Sequence, residues 1–371
     1  MELAGSSPQH GHRSSDKPRS RPARTYGGLA VLIAFVGLAG CVASDPRGIV
    51  QQDVDRTELV PVVVAFDGPR DVEFSGVWVA ADERSYESLG LEVGYLDADG
   101  DPSSPEQVLR DGQAQVAFES DTLRLFDYLQ ASNDVVIIGQ VFQASPQGII
   151  SRTVDPILTP ADLEGARIIG SGPQRLTVNA LMAVNGVGTF DYVTDGGLQA
   201  LVDGQGDGIV ASALHTPFEI MVDYPELDVD DDFVFTPLSE LGLPTLSGVI
   251  LASRQFLASD HDTAVSFLAA TMSGWELQMT TPERGAQLTL DGWNGPDQLG
   301  LVREITAANE AVPYLTSELT DREGLFAMDH GQIEKDLYPK LRAAGLTALP
   351  EPGQVIDESV QEEAWTSLGP R

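Results

Sequence analysis

The patterned part of the chain opens on an unbroken apolar run, Val60-Pro-Val-Val-Val-Ala-Phe66. A run that never alternates with polar residues marks a strand covered on both faces. Gly68-Pro69 punctuates it, residues 74–89 read as a helix, and Leu91-Glu-Val-Gly-Tyr-Leu96 reads as a second strand. The same alternation continues with a strand over 115–118, a helix over 121–130 and a strand over 135–141. Strands alternating with helices predict an α/β fold with mixed, mostly parallel sheets. Farther along, residues 158–171 read as a short capped helix, a strand and a polar glycine turn. Gly172-Pro173 then starts a helix to about Val184, proline being well placed in a first turn. Residues 248–253 form another buried strand, and from Arg254 onward the pattern is helical over 262–280, 300–311 and 329–344.

Two segments 92 residues apart resemble each other. Gln107-Val-Leu-Arg-Asp-Gly-Gln-Ala-Gln-Val-Ala-Phe-Glu-Ser120 and Gln199-Ala-Leu-Val-Asp-Gly-Gln-Gly-Asp-Gly-Ile-Val-Ala-Ser212 share Gln, Leu, Asp, Gly, Gln and Ser without gaps. Each reads as a helix end, a glycine turn where φ can be positive, a buried strand and a polar loop at the strand's carboxyl end. That end is where open α/β sheets hold ligands. The repeat therefore suggests two similar lobes facing one cleft, although helix–glycine–strand joints look alike in many α/β proteins.

Composition narrows the function. The 371 residues carry a formal charge of −34, with Lys17, Lys335 and Lys340 the only lysines. Such a surface repels nucleic acid phosphates and anionic lipid, so nucleic acid is not an expected partner. Histidines after residue 40 are limited to His215, His261 and His330, and no His-Glu-x-x-His, Gly-x-Ser-x-Gly, Walker or Gly-x-Gly-x-x-Gly motif occurs. The expectation is no metal cluster, no cofactor and no enzyme.

Cys41 is the only cysteine, so no disulfide framework is possible. It ends the run Gly27–Gly40, which follows Arg13, Lys17, Arg19, Arg21 and Arg24. Roughly 20 apolar residues are wanted for a bilayer-spanning helix, so this shorter run reads as the core of a signal peptide. Leu38, Ala39 and Gly40 before Cys41 resemble the bacterial lipoprotein box. The expected division is a signal peptide over 1–40, an Asp-rich tether over 41–59, one lobe from 60–145 with 247–371, and a second from 146–246. Cys41 would carry a lipid and place a monomer outside the cell membrane.

Strand ends and helix starts supply candidate ligand contacts, because a small-molecule cleft needs a few convergent polar groups on an apolar lining. They are Phe66 and Asp67 after the first strand, Glu119 and Ser120 after the third, and Gln143 after the fourth. Ser171, Gly172 and Gln174 sit at a helix start, where free N–H groups gather. Ser212, His215, Phe218 and Glu219 follow the second copy of the repeat. Each could equally be an ordinary turn or solvated helix face.

The ordered set of segments 75–80, 89–93, 111–118, 158–170, 204–211 and 253–257 resembles the extracytoplasmic solute-binding proteins of ABC importers. The similar group binds thiamine-pyrimidine precursors, riboflavin, nitrate and alkanesulfonates. The resemblance implies a two-lobed type 2 periplasmic-binding-protein architecture, a small ligand closed between the lobes, and delivery to an ABC permease in the membrane. The thiamine-precursor branch has a Trp-Thr-Pro-Asn segment with a nearby histidine where this chain reads Phe66-Asp-Gly-Pro-Arg-Asp-Val-Glu-Phe74, and its Asn-Tyr-Glu-Pro motif becomes Pro217-Phe-Glu-Ile220. Three carboxylates and several aromatics, with only Arg70 and Arg175 as cations, favour an aminopyrimidine-like heteroaromatic. An alkanesulfonate, nitrate or flavin ligand and a ligand-sensing lipoprotein are the alternatives. A pyrimidine-precursor synthase of this fold would need a Schiff-base lysine and a cysteine-rich motif, which this inventory lacks.

Overall fold

The computed structural model describes residues 59–96, 104–293 and 300–369. The expected signal peptide, Cys41 and the tether up to residue 58 lie outside the described residues.

β1 (Val60–Ala65) buries Val62 and Val64 completely and has a parallel partner on each side, β2 (Leu91–Tyr95) and β3 (Val116–Glu119). β4 (Val135–Phe142) is buried along all eight residues, as a strand inside a doubly covered sheet must be. The chain then passes to a second sheet: β5 (Gln147–Arg152), β6 (Arg167–Ile169), β7 (Asp191–Val193), β8 (Gly208–Ser212) and β9 (Phe233–Pro237). It returns to the first sheet as β10 (Ser247–Ser253).

The strand orders are β2-β1-β3-β10-β4 and β7-β6-β8-β5-β9. β10 runs antiparallel to β3 and β4, and β5 antiparallel to β8 and β9, so four strands of each sheet point one way and one points back. In both sheets the reversed strand is the first one laid down after the chain crosses over. The mixed, mostly parallel α/β architecture expected from the alternation is what the chain adopts.

The repeat maps onto this symmetry. The Pro105–Arg110 helix, Gly112 at φ +71° and β3 correspond to the Gly197–Val202 helix, Gly204 at φ +69° and β8. β3 lies between β1 and β10, and β8 between β6 and β5, which are equivalent places. The left-handed conformation of both glycines is one that residues with a Cβ adopt only at a cost.

Several boundaries differ from expectation. The helix read over 74–89 is broken at Arg84, which takes a left-handed conformation (φ 59°), into Ser75–Asp82 and Ser85–Ser88. The helix expected from Gly172 begins at Arg175, leaving 172–174 as a turn. β5, β7 and β9 were not expected as strands. The Thr159–Asp162 capping box is formed, with Thr159 N–H donating to Asp162 Oδ2 at 2.8 Å.

Against the first sheet lies the long Arg254–Thr280 helix, which crosses the Ser75–Asp82 helix at a glycine contact. A Cβ on Gly274 would collide with the Gly76 carbonyl oxygen, and one on Gly76 with the Trp275 indole. Phe66 is buried between Phe74, at 4.6 Å between ring centroids, and Phe118, stacked at 5.6 Å. This aromatic cluster fixes the carboxyl end of β1 and the turn that leaves it.

Candidate functional site

The carboxyl ends of β1 and β3 open onto a cleft of about 520 Å³, whose opposite wall comes from the segment after β6 and the start of β5. Such a volume falls in the range of small-molecule sites. Asp67, Asp71, Glu73, Phe74, Ser120 and Arg124 line it on one side. Gln147, Ser171, Pro173, Gln174 and Thr177 line it on the other.

Four of the residues expected from strand ends and helix starts are brought together here: Asp67, Ser120, Ser171 and Gln174. Asp67 Oδ2 accepts the Ser120 N–H at 2.7 Å, so the ends of β1 and β3 are tied to each other. Across the cleft, Gln174 Oε1 accepts the Ser171 N–H at 2.8 Å and organises the turn ahead of the Arg175–Asn185 helix.

The other candidates are placed differently. Phe66 stands behind the wall in the aromatic cluster. Glu119 is fully buried, accepting from the Asp121 N–H at 2.6 Å and from Arg124. Gln143 belongs to a second cavity, of about 460 Å³, where it donates to the Ala327 carbonyl and accepts from Ser317 Oγ. Gly172 is exposed in the turn, away from the cleft lining. Ser212 N–H donates to Thr216 Oγ1 at 3.1 Å, ordering the start of the Thr216–Asp223 helix. Phe218 and Glu219 are half-buried on that helix, with Glu219 Oε1 3.6 Å from Arg303 Nη2. His215 is buried, with Nδ1 3.9 Å from Glu73 Oε1.

Asp71, Glu73, Phe74 and Arg124 were not singled out from the sequence. Asp71 caps the turn Val72–Phe74 by accepting the Glu73 N–H at 2.9 Å. Three acids, Asp67, Asp71 and Glu73, in the segment that leaves the first strand were the available signal.

The wall these acids form is electrostatically unusual. Burial, then the Glu304 and Asp67 charges, push the Asp71 carboxyl up to about 7 against the Glu73 N–H bond. Burial and the neighbouring Asp71, Asp67 and Glu304 charges push Glu73 well above the usual carboxylate range. Burial also raises Asp67 and Glu304. Burial, followed by the Arg303 charge, pushes His215 down to about 4, so its imidazole is neutral at ordinary pH.

Among the described residues, Arg124 is the one basic side chain lining the cleft, and it is engaged. Its Nη2 lies 2.6 Å from Glu119 Oε2 and 2.7 Å from Oε1, and its Nε donates to Oε2 at 3.0 Å. The two cations expected near the site have other partners. Arg70 donates to the Leu96 carbonyl at 2.7 Å and lies over the Tyr95 ring, and Arg175 lies 5.0 Å from the Tyr192 ring centroid. The cleft thus presents carboxyl groups and short polar side chains, with Phe74 almost wholly buried in the wall behind them. It suits a neutral or cationic solute with N–H donors better than an anion.

Comparison with known proteins agrees with this architecture. A family model described as NMT1/THI5 like matches residues 71–285, more than half of the chain. No curated protein matches it. A periplasmic sulfonate-binding protein of a sulfonate ABC transporter from Methylobacillus flagellatus superposes with a TM-score of 0.58 at 15% identity, covering 84% of this chain and 95% of that one. A protein from Bordetella bronchiseptica gives 0.57 at 17% identity, over 84% and 99% of the two chains. The periplasmic aliphatic sulphonate binding protein SsuA from Escherichia coli gives 0.56 at 15% identity, over 81% and 98%. At these identities the likeness is one of fold, the two-lobed type 2 periplasmic-binding-protein arrangement.

Proposed function

The chain belongs to the NMT1/THI5-like family, and from that premise we propose that it is the extracytoplasmic solute-binding protein of an ABC importer. In this reading it captures a small amino-bearing heteroaromatic solute, such as a thiamine-precursor-like pyrimidine, and hands it unchanged to a permease. Cys41 carries the lipid that holds a monomer at the outer face of the membrane, and residues 60–145 with 247–371 close against 146–246.

The observation that carries the solute class is the cleft wall. Asp67, Asp71 and Glu73 line it, whereas its one guanidinium, on Arg124, is held by Glu119. Carboxylates accept amino N–H bonds, which matches the exocyclic amino group of an aminopyrimidine. The sulfonate-binding neighbours named above take an anion. Among the described residues lining this cleft an anion meets acidic groups without a free guanidinium in return, so an alkanesulfonate or nitrate is the weaker reading.

A ligand that binds the closed form better shifts the population toward it by its differential affinity. The test is a thermal-shift screen of aminopyrimidines, flavins, alkanesulfonates and nitrate, followed by X-ray scattering on any stabilising compound. Stabilisation by an aminopyrimidine with compaction supports the proposal. Stabilisation by sulfonates alone, or chemical conversion of the bound compound, overturns it.

A further inference from the structure

His215 sits behind the acidic wall and comes from the other side of the cleft. It follows β8 of the second sheet, yet its Nδ1 lies 3.9 Å from Oε1 of Glu73, which follows β1 of the first. Only 8% of the residue is exposed, and Nε2 is buried without a hydrogen-bond partner. A buried polar atom left unsatisfied costs about 1–3 kcal/mol, so such an atom asks for an explanation.

The surroundings supply one. One oxygen each from Asp71 and Glu73 and one ring nitrogen of His215 lie within 4.8 Å of one another. With metal–ligand bonds of about 2.0–2.2 Å, ligand atoms around one ion stand roughly 3–4.4 Å apart, so small side-chain movements close the set. Behind it, Glu304 Oε1 is also buried without a partner, while Oε2 accepts the Val72 N–H at 3.3 Å. The nearby cation, Arg303, is paired with Glu219 at 3.6 Å.

We propose that Asp71, Glu73 and His215 form a site for a first-row divalent cation such as Zn²⁺ or Co²⁺, shared between the halves of the protein. Imidazole with carboxylate is a donor set those ions accept, whereas Mg²⁺ and Ca²⁺ prefer oxygen alone. The ion takes a lone pair from the His215 ring nitrogen that faces the acids and neutralises two carboxylates that otherwise repel. It also ties the turn after β1 to the start of the Thr216–Asp223 helix, bracing the two halves. Three protein ligands leave at least one position open, and because Asp71 and Glu73 line the cleft, that position borders the solute. The sequence alone gave no hint of this, because Asp71 and Glu73 lie more than 140 residues before His215.

The test needs no solute, so its outcome is separate from that of the transport reading. The full chain, stripped with a chelator and dialysed, is titrated with Co²⁺ while the visible d–d absorption is followed, and Zn²⁺ is then added in competition. The site predicts one saturable equivalent, displaced by Zn²⁺, with the melting temperature raised by either ion. His215→Ala and Glu73→Gln should each weaken Co²⁺ binding at least tenfold, whereas Glu219→Gln should not. Glu73→Gln keeps the size of the side chain, so it remains informative if His215→Ala fails to fold. Equal binding by wild type and Glu73→Gln, or no saturable equivalent in the wild type, overturns the site.

Discussion

Arg124 grips Glu119 through Nη2 at 2.6 and 2.7 Å and stops 3.9 Å short of Asp67 Oδ2. Burial and the Asp67 and Glu106 charges push the Glu119 carboxyl well above the usual range, and the Arg124 charge and hydrogen bonds pull it back. Among the described residues, the one guanidinium lining the cleft is therefore spent on an internal acid. Glu119→Gln removes that hold and releases Arg124 toward the cleft. The variant should be less stable by about 1–3 kcal/mol, because a half-buried cation loses its charged partner. It should also gain affinity for a short alkanesulfonate relative to wild type. Urea titrations and calorimetry check the two halves of this prediction, and an unchanged preference between anions and cations would contradict it.

Asp67 is a cleaner probe of solute recognition. Asp67→Asn keeps an oxygen for the Ser120 N–H, so the tie between β1 and β3 is preserved. Affinity for a cationic or amino-bearing solute should drop at least tenfold, about 1.4 kcal/mol. Binding unchanged in this variant would place the solute elsewhere.

The same position sets a pH dependence. Burial raises the Asp67 carboxyl above its ordinary value near 3.8, against the opposing Ser120 N–H bond and Arg124 charge. A carboxyl whose folded pKa exceeds its unfolded one adds stability that is complete below the unfolded value and drains away as pH rises through the folded value. His215, pushed down to about 4, works in the opposite sense on the acid side. The difference between wild type and Asp67→Asn cancels that contribution. From about pH 4 upward, Asp67→Asn should gain stability relative to wild type. A difference that is flat or of opposite slope in melts across pH would refute this.

Packing offers a test far from the chemistry. Gly274 faces the Gly76 carbonyl so closely that any Cβ must push the Arg254–Thr280 and Ser75–Asp82 helices apart. Gly274→Ala should cost about 1–3 kcal/mol despite alanine's better helix propensity. Gly188→Ala, whose new atom meets only the flexible end of Glu164 at 3.6 Å, should change stability by under about 0.5 kcal/mol. Similar costs at the two positions would show that the helices yield.

Much of the fold was legible because the buried strands are continuous apolar runs: β1, β4 and β10 stand out without knowledge of their neighbours. β5 and β9 were not. β5 has only Ile149 and Ile150 at its centre, and β9 follows the acidic run 228–232 and ends in Pro237, so both looked like connections. β7 is three residues long. Their identity as strands comes from pairing partners far along the chain.

The site was half legible for a related reason. Asp67, Ser120 and Ser171 lie directly beyond strand ends, where sequence position and cleft position coincide. Asp71 and Glu73 reach the cleft through a turn leaving β1, and Arg124 through the first turn of the Thr122–Leu129 helix. Glu119 looked like a ligand contact because a buried acid needs a partner, and that partner is Arg124 five residues later. Which residue satisfies a buried charge is decided by three-dimensional reach.

The most direct measurement is a pair of calorimetric titrations on the same preparation, one with an aminopyrimidine and one with a short alkanesulfonate. The account predicts saturable one-to-one heat for the aminopyrimidine, abolished or weakened at least tenfold in Asp67→Asn, and none for the sulfonate. Tight sulfonate binding with no response to the aminopyrimidine would contradict it.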